Sequence, residues 1–183
     1  VTGGDGPPGT ERGTGGPTVL MVTGPARHVA GAAVVASVPW ARNERSAVAG
    51  AKTTSYAENV VALAYARERG ADEALFLDSR GNVSEGTGTN VFWVRDGRLV
   101  TPALSTGCLA GVTRALVIEW CGAEEVEAPG DELAGAAEVL LTSSTRDVQG
   151  VRAVDGVALA APGPVTAEAA AVFAERSAKD VDP

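Results

Sequence analysis

Lys52 is the residue whose type is hardest to explain by charge alone. The chain has thirteen arginines and only two lysines, Lys52 and Lys179, so arginine supplies the cation almost everywhere else. An amine can do what a guanidinium does not: it gives up its proton when desolvated and condenses with a carbonyl to form a Schiff base. Lys52 stands between Ala49-Gly50-Ala51 and Thr53-Thr54, at a strand-to-helix junction that would display it. A solvated loop lysine is the plain alternative. Thirty-three residues further on, Glu85 lies in the small-residue loop Ser84-Glu85-Gly86-Thr87-Gly88-Thr89-Asn90. A carboxylate among glycines lets a ligand approach the backbone and could pair with a protonated ring nitrogen; a surface turn acid is the alternative. Leu109-Ala110-Gly111-Val112-Thr113-Arg114 enters a helix through Gly111 and Thr113. Free amides, a hydroxyl and the positive end of the helix dipole suit a phosphate there, or an ordinary N-cap. Thr142-Ser143-Ser144-Thr145 puts four hydroxyls in a row at a strand end, also compatible with phosphate oxygens.

The elements that must position these residues are legible from pattern. Val19–Thr23 reads as a short apolar strand ended by Gly24-Pro25, and Ala33–Trp40 as a second strand. Ser55-Tyr56-Ala57-Glu58 has the form of a capping box, opening a helix with a buried face of Val60, Val61, Leu63, Ala64 and Ala66 and a stop at Gly70. Glu73–Asp78 reads as a strand turned by Ser79–Asn82. Thr89–Arg95 and Arg98–Thr101 form a hairpin around Asp96-Gly97. A helix follows over Arg114–Cys121, then an acidic strand near Glu125–Glu127 and a short helix near Asp131–Ala136. After these come a buried strand Glu138–Leu141, a hairpin turned by Asp155-Gly156, and a last helix from about Thr166 through Ala169, Val172 and Phe173. Short strands, hairpins and interleaved helices give an α/β or mixed α+β class, with a mixed sheet curved around a core and flanked by helices.

Bulk properties narrow the function. At 183 residues, 45% hydrophobic and 21% charged, the chain suits one well-buried domain and a piece of a second. A net charge of −8 disfavours nucleic acid and anionic membranes as partners. It leaves room for a small anion held by backbone amides. No apolar run approaches the ~18 residues that span a bilayer. A single histidine, His28, disfavours triads and histidine metal clusters, and no metal site is expected. Cys108 and Cys121 are too few for a disulfide framework, so a reduced, cytoplasmic setting is the expectation. Val1–Pro17 holds seven glycines and three prolines in spacings that fit neither a P-loop nor a dinucleotide fingerprint, and reads as a loop.

Taken together, the segments around Lys52, Glu85, Thr113 and Ser144 resemble, in order and spacing, the class IV aminotransferases, the fold type IV enzymes of pyridoxal 5′-phosphate. The resemblance runs from about Thr18 to Phe173 and is greatest between Lys52 and Thr113. It implies the C-terminal cofactor-binding domain of the D-amino acid aminotransferase-like fold. Residues 32–183 would form that domain, 25–31 an interdomain linker, and 1–24 the remnant of a smaller N-terminal domain that is mostly missing. In roles, it implies that Lys52 holds the cofactor and acts as base at the substrate Cα, while Glu85 faces the pyridine nitrogen. Gly111, Val112, Thr113, Ser144 and Thr145 would hold the phosphate, and Tyr56, one residue out of register with some relatives, would lie near the cofactor. The segments Lys52–Asn59 and Ser144–Val148 are most similar to actinobacterial 4-amino-4-deoxychorismate lyases, which release pyruvate and 4-aminobenzoate. A branched-chain or D-amino acid aminotransferase is the second expectation, and an inactive fragment the third. The implied partners are an amino acid or aminodeoxychorismate substrate and a second copy of the chain.

Overall fold

Successive side chains of a strand point to opposite faces, and the central strands of this chain are apolar on both, so that each buries one face against each of two layers. The computed structural model describes residues 4–6, 14–25 and 31–180. In chain order the elements are β1 (Ala33–Arg42), α1 (Ala57–Glu68), β2 (Glu73–Asp78), β3 (Val83–Gly86), β4 (Asn90–Arg95) and β5 (Arg98–Pro102). A 3-10 turn (Leu104–Thr106), α2 (Val112–Cys121), β6 (Glu124–Val126) and a 3-10 helix (Gly130–Gly135) follow, then β7 (Val139–Ser143), β8 (Asp147–Val154), β9 (Val157–Ala158) and α3 (Pro164–Lys179). The strands make one mixed sheet in the order β3-β2-β1-β8-β7-β4-β5-β6, with β9 paired to β8. β1 runs parallel to both β2 and β8, whereas β2–β3, β4–β5 and β7–β8 are antiparallel hairpins.

The two faces separate residue by residue. Val91 and Trp93 of β4, Leu75 of β2 and Val139 and Leu141 of β7 enter one core, closed by Leu133 of the 3-10 helix. The intervening Phe92, Val94 and Leu140 point the other way and pack under Val117 of α2 and Ala169 and Phe173 of α3. Ala74 and Phe76 of β2 meet Ala62 and Ala66 of α1. Phe92 and Trp93 are fully buried, and each such side chain stabilises the fold by about 2–3 kcal/mol. The 3-10 helix is itself pinned through Glu132, which accepts hydrogen bonds from Trp93 Nε1 and from both Nε and Nη2 of Arg95. These layers give the mixed α+β fold expected from the sequence. Within the described residues, no helix is long and apolar enough to cross a membrane.

Several local expectations change. Val19–Thr23 forms no strand; Leu20, Met21 and Val22 are exposed and find no strand to pair with among the described residues. The expected loop over 1–17 and linker over 25–31, with His28, lie largely outside the described residues. The capping box does not form: Tyr56 is the N-cap, without a side-chain hydrogen bond. Val60, Val61 and Ala64 are exposed, because the face that meets β2 is the small-residue pair Ala62 and Ala66, which lets the helix sit close over Phe76. The segment holding Glu85 is not a loop but a strand, β3, paired with β2 through Phe76 and Glu85.

Candidate active site

The end of β1, the approach to α1, β3, the N-terminus of α2 and the end of β7 converge on one cavity of about 480 Å³. Lys52, Tyr56 and Glu85 line one part of it, and Gly111, Val112, Thr113 and Ser144 another. Residues separated by up to 92 positions are thereby brought together (Lys52 to Ser144). Thr145 does not line the cavity; its N–H and hydroxyl lie 3.4 Å from Ser143 Oγ, in the turn after β7.

Tight backbone approaches build this geometry. Gly107 has φ +79°, and a Cβ there would lie 2.8 Å from Glu44 Cα, so the segment after β5 presses against the turn following β1. That course delivers the Leu109 N–H to Glu85 Oε2 at 2.9 Å. Asn90, at the start of β4, donates from Nδ2 to Leu109 O at 2.8 Å and fixes the same segment from the other side. Its Oδ1 occupies the space that a side chain on Gly111 would need.

Glu85 is the electrostatic centre of the site. Its side chain is only 14% exposed, and Arg42 Nε stands 3.1 Å from Oε1. The Arg42 Nε–H is not well directed at that oxygen, so the contact is an ion pair rather than a directed hydrogen bond. Burial pushes the Glu85 carboxyl above its ordinary range, and the Leu109 N–H and the charges of Arg42 and Lys52 oppose that rise without cancelling it. Arg42 is held by Phe76, whose ring lies 4.1 Å below the guanidinium, and by Asn59 Oδ1 at 3.1 Å. Asn59 also donates to Thr87 O at 2.6 Å, tying α1 to the loop beyond β3.

Lys52 sits on the open side. It is exposed, and its Nζ donates to the Tyr56 hydroxyl at 2.7 Å. The described residues therefore orient the amine without taking it out of water, whereas the sequence reading rested on a desolvated lysine. At the anion end, the Gly111 N–H is already used by Leu109 O at 2.8 Å. The Val112 and Thr113 amides, in the first turn of α2, are the ones left facing outward. Thr142, whose Oγ1 is buried and has no hydrogen-bond partner among the described residues, lines the same cavity. Arg42, Asn59 and Asn90 were not singled out by sequence reasoning, because their contacts join residues 17 or more positions apart. Thr142 was read only as one of four hydroxyls in a row, and the alternation of β7 sets it apart from Ser143.

Comparison with known proteins gives this geometry a family. The profile of the family described as Amino-transferase class IV matches residues 1–154. The chain belongs to the class IV aminotransferases. Among curated relatives, the branched-chain-amino-acid aminotransferase of Pseudomonas aeruginosa is 37% identical over 119 residues, which is 61% of this chain and 38% of that protein. The chain thus spans well under half the length of this class IV relative. Among solved class IV structures, the branched-chain aminotransferase of Thermobaculum terrenum in its PLP-bound form superposes with a TM-score of 0.77 at 30% identity, covering 82% of this chain and 52% of that one. The “putative 4-amino-4-deoxychorismate lyase” of Legionella pneumophila gives a TM-score of 0.82 at 24% identity, covering 88% of this chain and 66% of that one, a likeness of fold.

Proposed function

We propose that this chain forms the pyridoxal 5′-phosphate half of an enzyme that works on the Cα–H bond of a small amino acid. The observation that carries the reading is the meeting of Lys52 Nζ, the ion-paired Glu85 and the N-terminus of α2 around one cavity. The residues fit the cofactor. Thr142, whose buried Oγ1 has no partner among the described residues, lines the cavity, and Gly111 leaves its wall free of a side chain. Bound there, the cofactor supplies a protonated ring that draws off the electrons left when Cα loses its proton.

Each residue then has a task. Lys52 is the covalent anchor, and once its amine is free, Nζ takes the Cα proton. The Tyr56 hydroxyl, 2.7 Å from Nζ, aims that amine. Glu85 accepts a hydrogen bond from the ring nitrogen and keeps the proton there. Arg42 favours the ionised carboxylate that this requires, against the cost of burial. The Val112 and Thr113 amides, the Thr113 hydroxyl and Ser144 grip the phosphate, with Thr145 supporting the turn.

An amino acid aminotransferase and an aminodeoxychorismate lyase share this proton removal and part afterwards. The first returns a proton and releases a keto acid; the second expels pyruvate and leaves 4-aminobenzoate. Identity to the branched-chain enzymes supports the aminotransferase reading. The run Ser144-Thr145-Arg146-Asp147 supports the lyase. In the same proposal residues 32–183 are the cofactor domain, 25–31 a linker, and 1–24 part of a smaller N-terminal domain, in a cytoplasmic homodimer whose other surfaces close over Lys52.

Borohydride reduction of the full-length protein with pyridoxal phosphate, followed by peptide mapping, tests the assignment. An adduct on Lys52, absent in Lys52→Ala with unfolding unchanged, is expected; an adduct elsewhere, or none, would end it. Assay of keto acid against 4-aminobenzoate then separates the two reactions.

A further inference from the structure

Glu73 is a deeply buried carboxylate that the proposed chemistry does not use. It opens β2 and is 2% exposed. Its Oε1 accepts from the Thr87 N–H at 3.0 Å and from the Thr87 hydroxyl, while Thr89 Oγ1 stands 3.4 Å from Oε2. Those contacts reach into the Gly86–Thr89 loop, which lines the cavity directly after Glu85. Gly86 has no room for a Cβ, because Thr89 Oγ1 and Glu73 Cγ fill that space. From the opposite side, Arg146 Nη2 approaches Oε2 at 3.4 Å; the Glu73 side chain is buried and that of Arg146 partly so. Arg146 belongs to the turn that follows Ser143 and Ser144, and its Nη1 donates to Gln149 Oε1 at 2.6 Å. Gln149 in turn donates from Nε2 to Gly31 O at 2.9 Å.

We propose that Glu73 is a positioning residue: through Arg146 it fixes the spacing between the carboxylate wall and the hydroxyl turn of the cavity. The inference rests on the pyridoxal-phosphate reading for its purpose, though not for its geometry. Strand pairing joins the two walls at one end only: Asn90, directly after Thr89, pairs with Thr142, directly before Ser143. Beyond that pair Thr87–Gly88 and Ser144–Arg146 leave the ladders as turns. The buried Glu73 carboxylate, in contact with Thr87 on one side and Arg146 on the other, is a second tie between them. A ligand with a ring at Glu85 and a phosphate at Ser144 would feel any change in the spacing. A ligand lacking the phosphate would feel it less.

The full-length protein is compared with Glu73→Gln, Arg146→Gln and Arg146→Lys. The first readout is amide hydrogen exchange without any ligand. Arg146→Gln is expected to speed exchange in residues 86–89 about tenfold, and Glu73→Gln to do the same in 143–146, as coupling between bonded neighbours predicts. Arg146→Lys should restore most of the protection. The second readout is the ratio of affinities for pyridoxal phosphate and pyridoxal, which is expected to fall about fivefold or more in both Gln variants and to recover in the Lys variant. Effects confined to the substituted turn, with no cross-effect on the other, would overturn the proposal. Cross-effects in exchange, with neither ligand bound by the parent protein, would leave the brace standing and refute the cofactor reading instead.

Discussion

Replacing Arg42 with methionine isolates the electrostatics on which the site turns. Arg42 Nε and Glu85 Oε1 are 3.1 Å apart, and the two side chains keep 15% and 14% of their exposure. At an effective dielectric of about 20, unit charges at this separation attract by about 5 kcal/mol. Residual solvent and the indirect N–H geometry reduce that figure. Breaking a buried pair costs about 3–5 kcal/mol, against about 0–1 for a surface pair. A loss of about 2–3 kcal/mol at pH 8 is the expectation, with methionine retaining part of the packing on Phe76. The pH dependence has a definite sign. Burial holds the Glu85 carboxyl above its ordinary 4.5. A group shifted upward in this way favours the folded state below its unfolded value, and that contribution is lost as pH rises through the folded value. Without Arg42 the carboxyl moves up further, so the Arg42→Met deficit grows as pH rises through the folded value and shrinks as pH falls below it, where protonation removes the charge that Arg42 faces. Urea unfolding followed by tryptophan fluorescence at pH 8 and pH 4 measures both limits, and the Glu85→Gln background should remove most of the pH-dependent part. Equal losses at the two pH values, or a loss undiminished in that background, would refute the account.

Two further substitutions probe how the site is held. Glu138 is buried, and its carboxylate accepts from the Val165 and Thr166 amides at 3.1 and 2.7 Å, capping α3 where the N-cap Gly163 has no side chain. Glu138→Ala should cost about 2–3 kcal/mol in denaturant unfolding and speed amide exchange in the first turn of α3; a cost under about 0.5 kcal/mol would show that the cap is idle. Gly111→Ala drives a methyl onto Asn90 Oδ1, which displaces Asn90 from Leu109 O and so loosens the N–H that anchors Glu85. Cofactor affinity, read by absorbance titration, should fall about tenfold or more, corresponding to the loss of one to two kcal/mol; parent-like binding would remove Gly111 from this chain of contacts.

The sequence exposed what depends on local pattern. Period-two alternation in β4 and the Asp96-Gly97 turn were readable because strand faces and tight turns are decided within a few residues. In the structure Asp96 and Gly97 both have positive φ, as that hairpin turn requires. The cavity residues were readable for a different reason, because each sits at an element end whose type and order can be matched. What stayed hidden was set across the fold. Val60, Val61, Leu63 and Ala64 made a helix apolar on nearly every side, and only Phe76 opposite decides that Ala62 and Ala66 face inward. Val19–Thr23 has strand composition, but a strand also needs an edge to pair with, and none among the described residues receives it. Arg42 lies ten positions before Lys52, and its partner Glu85 is 43 positions away, so no local spacing announces the pair.

The two sides of the cavity are finished to different degrees, and that difference bears on what the isolated chain can do. Around Glu85 the polar groups are largely partnered among the described residues, with Leu109 N–H and Arg42 on the carboxylate, Asn59 on Arg42 and Asn90 on Leu109 O, though the Arg42 Nε–H makes no directed hydrogen bond. Such a network is preorganised, so a ring placed against it meets fixed charges without further rearrangement. Around Lys52, by contrast, the described residues orient the amine through Tyr56, by a hydrogen bond between two exposed side chains and the nearby ring. Proton transfer from carbon needs an amine that spends time unprotonated and a site closed to bulk water. On the proposed reading, the carboxylate side is expected to recognise the ring, whereas turnover is expected to need a surface that covers Lys52. Binding without turnover by residues 1–183, and turnover once that surface is supplied, is the outcome that this asymmetry predicts.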